Sequence, residues 1–518
     1  MSTTNDVPST LFPLVLDESV LAQVCDRASD TTALERFKSQ GESCGWCTQP
    51  IRLRGSQLSV DEATGEILRG YSTESQPEGV LLKACGTRRA SRCPSCAATY
   101  AADARMLVRA GVSGGKGVPE SVASHPMVFA TFTAPSFGAV HGIRSKGGSH
   151  PCRPGVRGRR CPHGRELSCW KRHDVNEEVV GVPLCRECYD YESAVLWNAT
   201  CPELWRRTTI GIKRALAQIV GVGVRELAGL VRVSFTKVVE YQQRGAVHLH
   251  AVIRLDPVSD NSDEALLGID STTLAGAIRL AAKKVAAPLP DGSSGSVRWG
   301  SEVEVRTITN HQRSVGSDAT DGDSETQDST SARAVANYLA KYATKSTDSS
   351  GALDRRLRSL EDLSLRRVNG HLRRLVETAW VLGGRPGLSK IRRWAHTLGF
   401  GGHWLTKSRK YSVTFSYLRK ERQTWQIRHS SREVEDPSRV RVVAQWEWAG
   451  TGWGSRGDAW LARIFQRERE ASRVDAREDQ CIKEMALRAV EPELGYLDRR
   501  GGEPIEGYEL VERELDHE

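Results

Sequence analysis

"VRVSFTKVVEYQQRGAVHLHAVIRLD", residues 231–256, is two strand-like runs around a polar turn that contains Gly245. Its Val, Ile, Phe, Thr and Tyr content favours a pleated sheet, and the glycine suits the turn. Side chains alternate along a strand, so His248 and His250 share one face while Leu249 points into the core. A hairpin centred near Arg244 sets Glu240 opposite His248 on that face. Two imidazoles ~6–7 Å apart on a rigid strand, with a carboxylate beside them, suit one divalent ion. Open positions would remain there for a substrate oxygen, unlike in a closed structural site. Two solvent-facing histidines and a surface carboxylate would show the same alternation, so the metal reading needs support elsewhere in the chain.

That support lies downstream. "ARAVANYLAKYATKS", residues 332–346, carries Tyr-x-x-Lys twice in succession. On a helix, Tyr338, Lys341, Tyr342 and Lys345 fall within a stripe about 100° wide, and Val335, Leu339 and Ala343 beside it can seat the helix on a core. A tyrosine phenol can act as a nucleophile and form a covalent intermediate. A neighbouring lysine favours the phenolate and steadies charge on a transferring phosphoryl group. Taken alone, the pattern is that of an ordinary amphipathic helix with solvated lysines.

Working outward, "HPMVFATFTAPSF" (125–137) reads as a strand stopped by Pro135, and "SVRWGSEVEVRTI" as another that ends near Ile308. Strands interleaved with helices and insertions give an α+β core. Residues 1–40 read as weakly structured, and 41–120 as a zinc-binding segment followed by a helix. The core spans 121–350, with a Gly-, Arg-, Cys- and His-rich insertion at 145–190 and a polar, acidic flexible loop at 309–333. A basic helical region at 351–430 and a C-terminal region at 431–518 with an acidic, partly disordered tail complete the chain.

A net charge of +9 is unevenly spread, because the tail is acidic and the body correspondingly more basic. A basic body is compatible with a nucleic-acid partner, since phosphates attract Lys and Arg over long range. There is no run of 18 apolar residues and no secretion signal, which argues against a membrane span and makes the cytoplasm the default compartment.

Thirteen cysteines in such a chain point to metal rather than to disulfides. Cys44-Gly-Trp-Cys47, Cys85 and Cys93-Pro-Ser-Cys96 offer five candidates for one tetrahedral zinc site. Cys47, Cys85, Cys93 and Cys96 are the preferred set, with Cys44 as the alternate. In the insertion, Cys161, Cys169, Cys185 and Cys188 are the preferred ligands of a second site, with His163, His173 and Cys152 as substitutes. Both sites fold segments that have little core of their own. Cys25, Cys201 and Cys481 read as isolated thiols.

A His-hydrophobic-His strand followed by a Tyr-x-x-Lys-Tyr-x-x-Lys helix resembles the HUH endonucleases of rolling-circle replication. "VFATFTAPS" resembles that superfamily's first strand motif, "VHLHAV" its metal motif, and "NYLAKYATKS" the nucleophile motif of its two-tyrosine branch. Closer still, residues 40–430 resemble the RepSA-type replication initiators of actinomycete plasmids and integrative elements. "ACGTRRASRCPSC", "PLCRECYDYESAVLWNATCPELWRR" and "GHWLTKSRKYSVTF" carry that likeness.

The resemblance implies an HUH-like antiparallel sheet with flanking helices, and an enzyme that nicks and rejoins one DNA strand at a double-strand origin. Mg²⁺ or Mn²⁺ on His248, His250 and Glu240 would serve attack by Tyr338 or Tyr342, leaving a 5′-phosphotyrosine and a free 3′-OH for a host polymerase. The second tyrosine would act after one round of synthesis. No Gly-x-x-x-x-Gly-Lys-Ser/Thr loop is present, so a host helicase is expected. A transposase or conjugative relaxase would share this chemistry. A zinc-finger DNA-binding regulator would explain the cysteines and the charge but not the histidine strand or the Tyr/Lys helix.

Overall fold

The computed structural model describes residues 17–143, 150–174, 177–258, 268–309, 329–345, 355–364, 368–429 and 440–475. The chain divides into two compact units. The first is Met1–Leu58, Arg69–Ala84 and Val443–Glu518, and the second is Ser59–Leu68 and Cys85–Val442.

In the first unit, helices α1 (Glu18–Ser29) and α2 (Thr31–Ser43) precede strands β1 (Ile51–Asp61), β2 (Ile67–Ser72) and β3 (Leu81–Lys83). Their sheet has the order β12-β1-β2, with β3 on β1, where β12 is Val440–Thr451 from near the end of the described chain. This corrects the expectation of a weakly structured 1–40 for residues 17–40; residues 1–16 lie outside the described residues. Asp17 accepts a hydrogen bond from the Ser19 amide, and Asp30 accepts one from Ala33, so both helices begin on side-chain caps. The boundaries at 41–120 and 431–518 also shift, because residues near the two ends share one core. Phe37 and Trp46 are buried with Ala462, and Trp46 stacks on Phe465 with ring centroids 4.6 Å apart. The acidic tail from residue 476 lies outside the described residues.

The second unit is built on a six-stranded sheet of order β10-β9-β4-β6-β5-β11. The strands are β4 (Met127–Phe132), β5 (Val231–Tyr241), β6 (Val247–Pro257), β9 (Val303–Thr309), β10 (Ser329–Ser331) and β11 (Leu405–Lys407); a short pair, β7 (Ala287–Pro288) and β8 (Ser296–Val297), lies apart. All neighbours are antiparallel except β10 on β9. Of the loop expected at 309–333, residues 310–328 lie outside the described residues. The basic region at 351–430 belongs to this same unit, since β11 extends the core sheet.

Both faces of the sheet are covered, which is why β5 and β6 are apolar nearly throughout. One face (Val128, Phe132, Val239, Leu249, Ala251, Ile253) packs on α4 (Tyr191–Val220), α6 (Ser271–Lys284) and α9 (Gly370–Leu382). Short helices α5 (Val224–Leu230), α8 (Glu361–Ser364) and α10 (Ser389–Arg393) connect these elements. The other face (Met127, Val238, Val252) packs on α3 (Pro94–Ser113), α7 (Ala332–Lys345) and α11 (Phe415–His429).

Gly111 on α3 lets Tyr411 approach closely, since a Cβ there would meet the tyrosine ring at 2.1 Å. Buried Arg254 of β6 closes this layer. It hydrogen-bonds Asp256 through Nε at 2.5 Å and donates to the backbone carbonyls of Gly111 and Tyr411. No described helix is long and apolar enough to cross a membrane.

Candidate active site

The hairpin register is that read from the sequence. Glu240 pairs with His248, Val238 with His250, and Tyr241 with Val247. The turn closes through Gln242 N–H to Ala246 O and Gly245 N–H to Gln242 O, with Gly245 at φ 77°, a conformation open to glycine. Three side chains hold this turn in place. Asn198 of α4, fully buried, donates to the carbonyls of Gly245 and Leu398 and accepts from the Val247 amide at 2.8 Å. Arg244 donates to the carbonyls of Ala134 and Pro135 at the end of β4. His371 of α9 lies 3.0 Å from the Arg244 carbonyl through Nε2.

Arg244 thereby sets the position of Thr133, whose hydroxyl lies 3.3 Å from His248 Nδ1. Two residues along the strands, Thr131 pairs with His250 and places its hydroxyl 3.2 Å from His250 Nδ1. Phe129 stacks on the His250 ring at 5.8 Å, nearly parallel. With Nδ1 engaged, His250 Nε2 faces two groups: Glu240 Oε2 at 3.4 Å and the Tyr338 hydroxyl at 3.3 Å. The two histidine rings lie 4.6 Å apart between centroids. Glu240 thus reaches His250, while its relation to His248 rests on strand register.

Tyr338 arrives from α7, which is seated by buried Val335 and Leu339 on α3 and β5. Tyr338 and Lys341 are exposed. The backbone of α7 extends through Tyr342 and Lys345, but their side chains lie outside the described residues. So does that of Ala343. His248, His250 and Tyr338 line an open cleft of about 740 Å³ together with Glu302, Glu304 and Arg306 of β9 and its approach. Glu304 pairs with Thr131 across β4 and β9 and bonds Arg306 at 2.7 Å.

Burial, then repulsion from His250 and Arg244, pushes the His248 imidazole down to about 3, so it is neutral at physiological pH. A neutral imidazole is the form that ligates metal. Two donors that each sit ~2.1 Å from one ion are ~3.0–3.4 Å apart, the separation found between His250 Nε2 and Glu240 Oε2. Among the described residues, the groups whose donor atoms all lie within 4.8 Å of one another are built from cysteines and histidines, and His248, His250 and Glu240 are not such a group; of these three, only His250 and Glu240 stand at the separation that one shared ion would set.

The family profile described as RepSA, replication initiator protein, pSAM2, matches residues 33–467. A replication initiator protein from Streptomyces ambofaciens is 38% identical over 483 residues, covering 91% of this chain and 97% of that protein. The chain belongs to the RepSA family of replication initiators. No solved structure matches it.

In this RepSA-family chain the cysteines do not all fall as read from the sequence. Cys161, His163, Cys185 and Cys188 bring their donor atoms within 4.8 Å of one another. A tight turn, with Gly164 N–H to Cys161 O, folds His163 back until Nδ1 lies 3.3 Å from Cys188 Sγ. Cys169 is not in this group, which corrects its assignment there. It pairs through its backbone with Arg153, N–H to O at 2.8 Å in both directions, so it sits beside Cys152 with His141 and His173. In the second unit, Cys85 Sγ lies 3.6 Å from Cys96 Sγ, and Cys93 stands at the start of α3. Cys44 and Cys47 belong to the first unit, where both are buried.

Sequence reasoning put Phe129, Thr131 and Thr133 in a strand motif but gave them no role beside the histidines, and it missed Asn198 and Arg306. Asn198 carried a local signal, a polar residue amid the apolar face of a helix. The others matter through partners on distant strands.

Proposed function

We propose that this initiator nicks one strand of its origin through attack by Tyr338 and later rejoins the strand. One observation carries the reading: the Tyr338 hydroxyl stands 3.3 Å from His250 Nε2, which also faces Glu240, and both Tyr338 and His250 line an open cleft. His248, His250 and Glu240 would hold Mg²⁺ or Mn²⁺, which when bound supplies Lewis-acid polarisation of a phosphate oxygen. The tyrosine oxygen forms a bond to phosphorus as it gives up its proton, and the bond from phosphorus to the 3′ oxygen breaks, that oxygen leaving with the electron pair and taking up a proton. The products are a 5′-phosphotyrosine and a 3′-OH that a host polymerase extends, behind a host helicase. Arg306 lies where it can steady phosphate charge, and Lys341 follows Tyr338 by one helical turn. Tyr342, a turn beyond Tyr338, would supply the second transfer. In this reading the fold is that of an HUH endonuclease of the two-tyrosine branch. Zinc on Cys161, His163, Cys185 and Cys188, and on the Cys85, Cys93 and Cys96 group, is structural.

The test is to incubate the full chain with a supercoiled plasmid carrying its origin, with Mg²⁺ or Mn²⁺. Protease digestion and mass mapping then locate the phosphotyrosine. An adduct on Tyr338 supports the reading. An adduct on a residue other than Tyr338 or Tyr342, or a bound plasmid that stays intact with both metals, overturns it.

A further inference from the structure

The insertion between β4 and α4 contains a second cluster that the nicking reading leaves unused. His141, Cys152, Cys169 and His173 hold their donor atoms within 4.8 Å of one another, and all but His141 are buried. Cys152 Sγ lies 3.8 Å from His141 Nδ1, and Cys169 Sγ lies 3.4 Å from His173 Nε2. In a tetrahedral zinc site, sulfur at ~2.3 Å and nitrogen at ~2.05 Å from the ion stand ~3.6 Å apart. The two sulfur–nitrogen separations bracket that value.

Backbone and outer contacts hold the four in place. Cys152 N–H donates to the Lys171 carbonyl at 2.8 Å, and Cys169 and Arg153 exchange backbone hydrogen bonds. These bonds bring the two cysteine-bearing segments together at an isolated antiparallel bridge. His173 carries a carboxylate on its outer nitrogen: Glu177 Oε2 is 2.7 Å from Nδ1, and Oε1 accepts the Asp174 amide at 2.9 Å. A carboxylate on Nδ1 fixes the tautomer that presents Nε2 as a ligand, the outer contact typical of zinc-bound histidine. The segment it would anchor has little else to fold around. Val156 is 72% exposed and Trp170 44%, the latter with Arg157 over its ring.

We infer that His141, Cys152, Cys169 and His173 bind a zinc ion of their own, with Glu177 as the positioning residue for His173. The insertion is therefore a two-zinc module. Two thiolates and two neutral imidazoles leave this second site electrically neutral with Zn²⁺, which suits its burial. The inference is independent of the nicking chemistry.

The test is zinc content per folded full-length chain, by elemental mass spectrometry. Cys152→Ser/Cys169→Ser should lose one zinc relative to wild type, Cys161→Ser/Cys185→Ser one, and the combined variant two. No zinc lost by Cys152→Ser/Cys169→Ser, or no further zinc lost when those changes are added to Cys161→Ser/Cys185→Ser, overturns the second site. Glu177→Gln keeps the fold testable if the serine variants precipitate. It should retain the ion but release one zinc to a competing chelator at about 10–100-fold lower chelator concentration, and an unchanged release curve overturns the positioning role. Thiol titration after denaturation with chelator should find all 13 cysteines reactive; two missing thiols that map to Cys152 and Cys169 mean a disulfide, and overturn the site.

Discussion

Replacing Asp256 by Asn removes the charge that neutralises Arg254 inside the second unit. Arg254 is 1% exposed, and Asp256 accepts from its Nε at 2.5 Å and Nη2 at 3.1 Å, from Ser234 Oγ at 2.5 Å, and lies 3.0 Å from His125 Nδ1. Burial by itself would raise the Asp256 carboxyl. The hydrogen bonds from His125 and Arg254, the Arg254 charge and the Ser234 hydroxyl overcome it and hold the group at about 2, against an ordinary value of 3.8. A folded value below the unfolded one stabilises the fold above pH ~4, and that contribution fades as pH falls toward 2.

The gap corresponds to about 2 kcal/mol at neutral pH. Asp256→Asn also strands a buried guanidinium, which raises the cost to about 3–5 kcal/mol. Thermal melts followed by circular dichroism at pH 7 should fall by roughly 4–7 °C. The difference between wild type and variant should shrink by about half between pH 4.5 and pH 2.5, as the wild-type carboxylate takes up its proton. If the variant melts within a degree of wild type at pH 7, Asp256 does not balance Arg254. If the difference stays constant across the acid range, the depressed carboxyl is wrong.

Tyr338→Phe keeps the ring packed on Phe129 and His250 and removes only the hydroxyl. Covalent adduct formation should fall at least ~10³-fold while stability changes by under about 1 kcal/mol, as read by gel shift of denatured complexes and by melting. Tyr342→Phe should leave the first nick intact, and loss of that nick would reverse the order of the two tyrosines. Thr131→Val takes away the hydroxyl at His250 Nδ1 and should raise the Mn²⁺ concentration for half-maximal nicking about 10–100-fold. Gly245→Ala forces an L residue into φ 77° and drives a Cβ to 2.5 Å from Leu375 Cδ1. A loss of about 2 kcal/mol or more in chemical denaturation should follow.

The hairpin, the shared face of His248 and His250, the inward Leu249 and the opposition of Glu240 to His248 were legible in residues 231–256. Strand alternation and turn position are local properties, and a two-fold period leaves little freedom once the turn is placed. The α7 helix was legible for the same reason, from its 3.6-residue period. Two features misled: the apparent weakness of residues 17–40 and the grouping of Cys169 with Cys185 and Cys188. In each case the deciding contacts come from distant residues, Ala462 and Phe465 for the N-terminal helices and the Arg153 pairing for Cys169.

By itself, the sequence determined which groups could do chemistry and which faces they occupy, because periodicity and turn chemistry act over a few residues. Only the tertiary structure decided that His250, rather than His248, meets both Glu240 and Tyr338, and that Thr131 and Thr133 stand behind the imidazoles. Those distances depend on how β4, β6 and α7 pack, and packing is a balance of contacts among side chains more than a hundred residues apart along the chain.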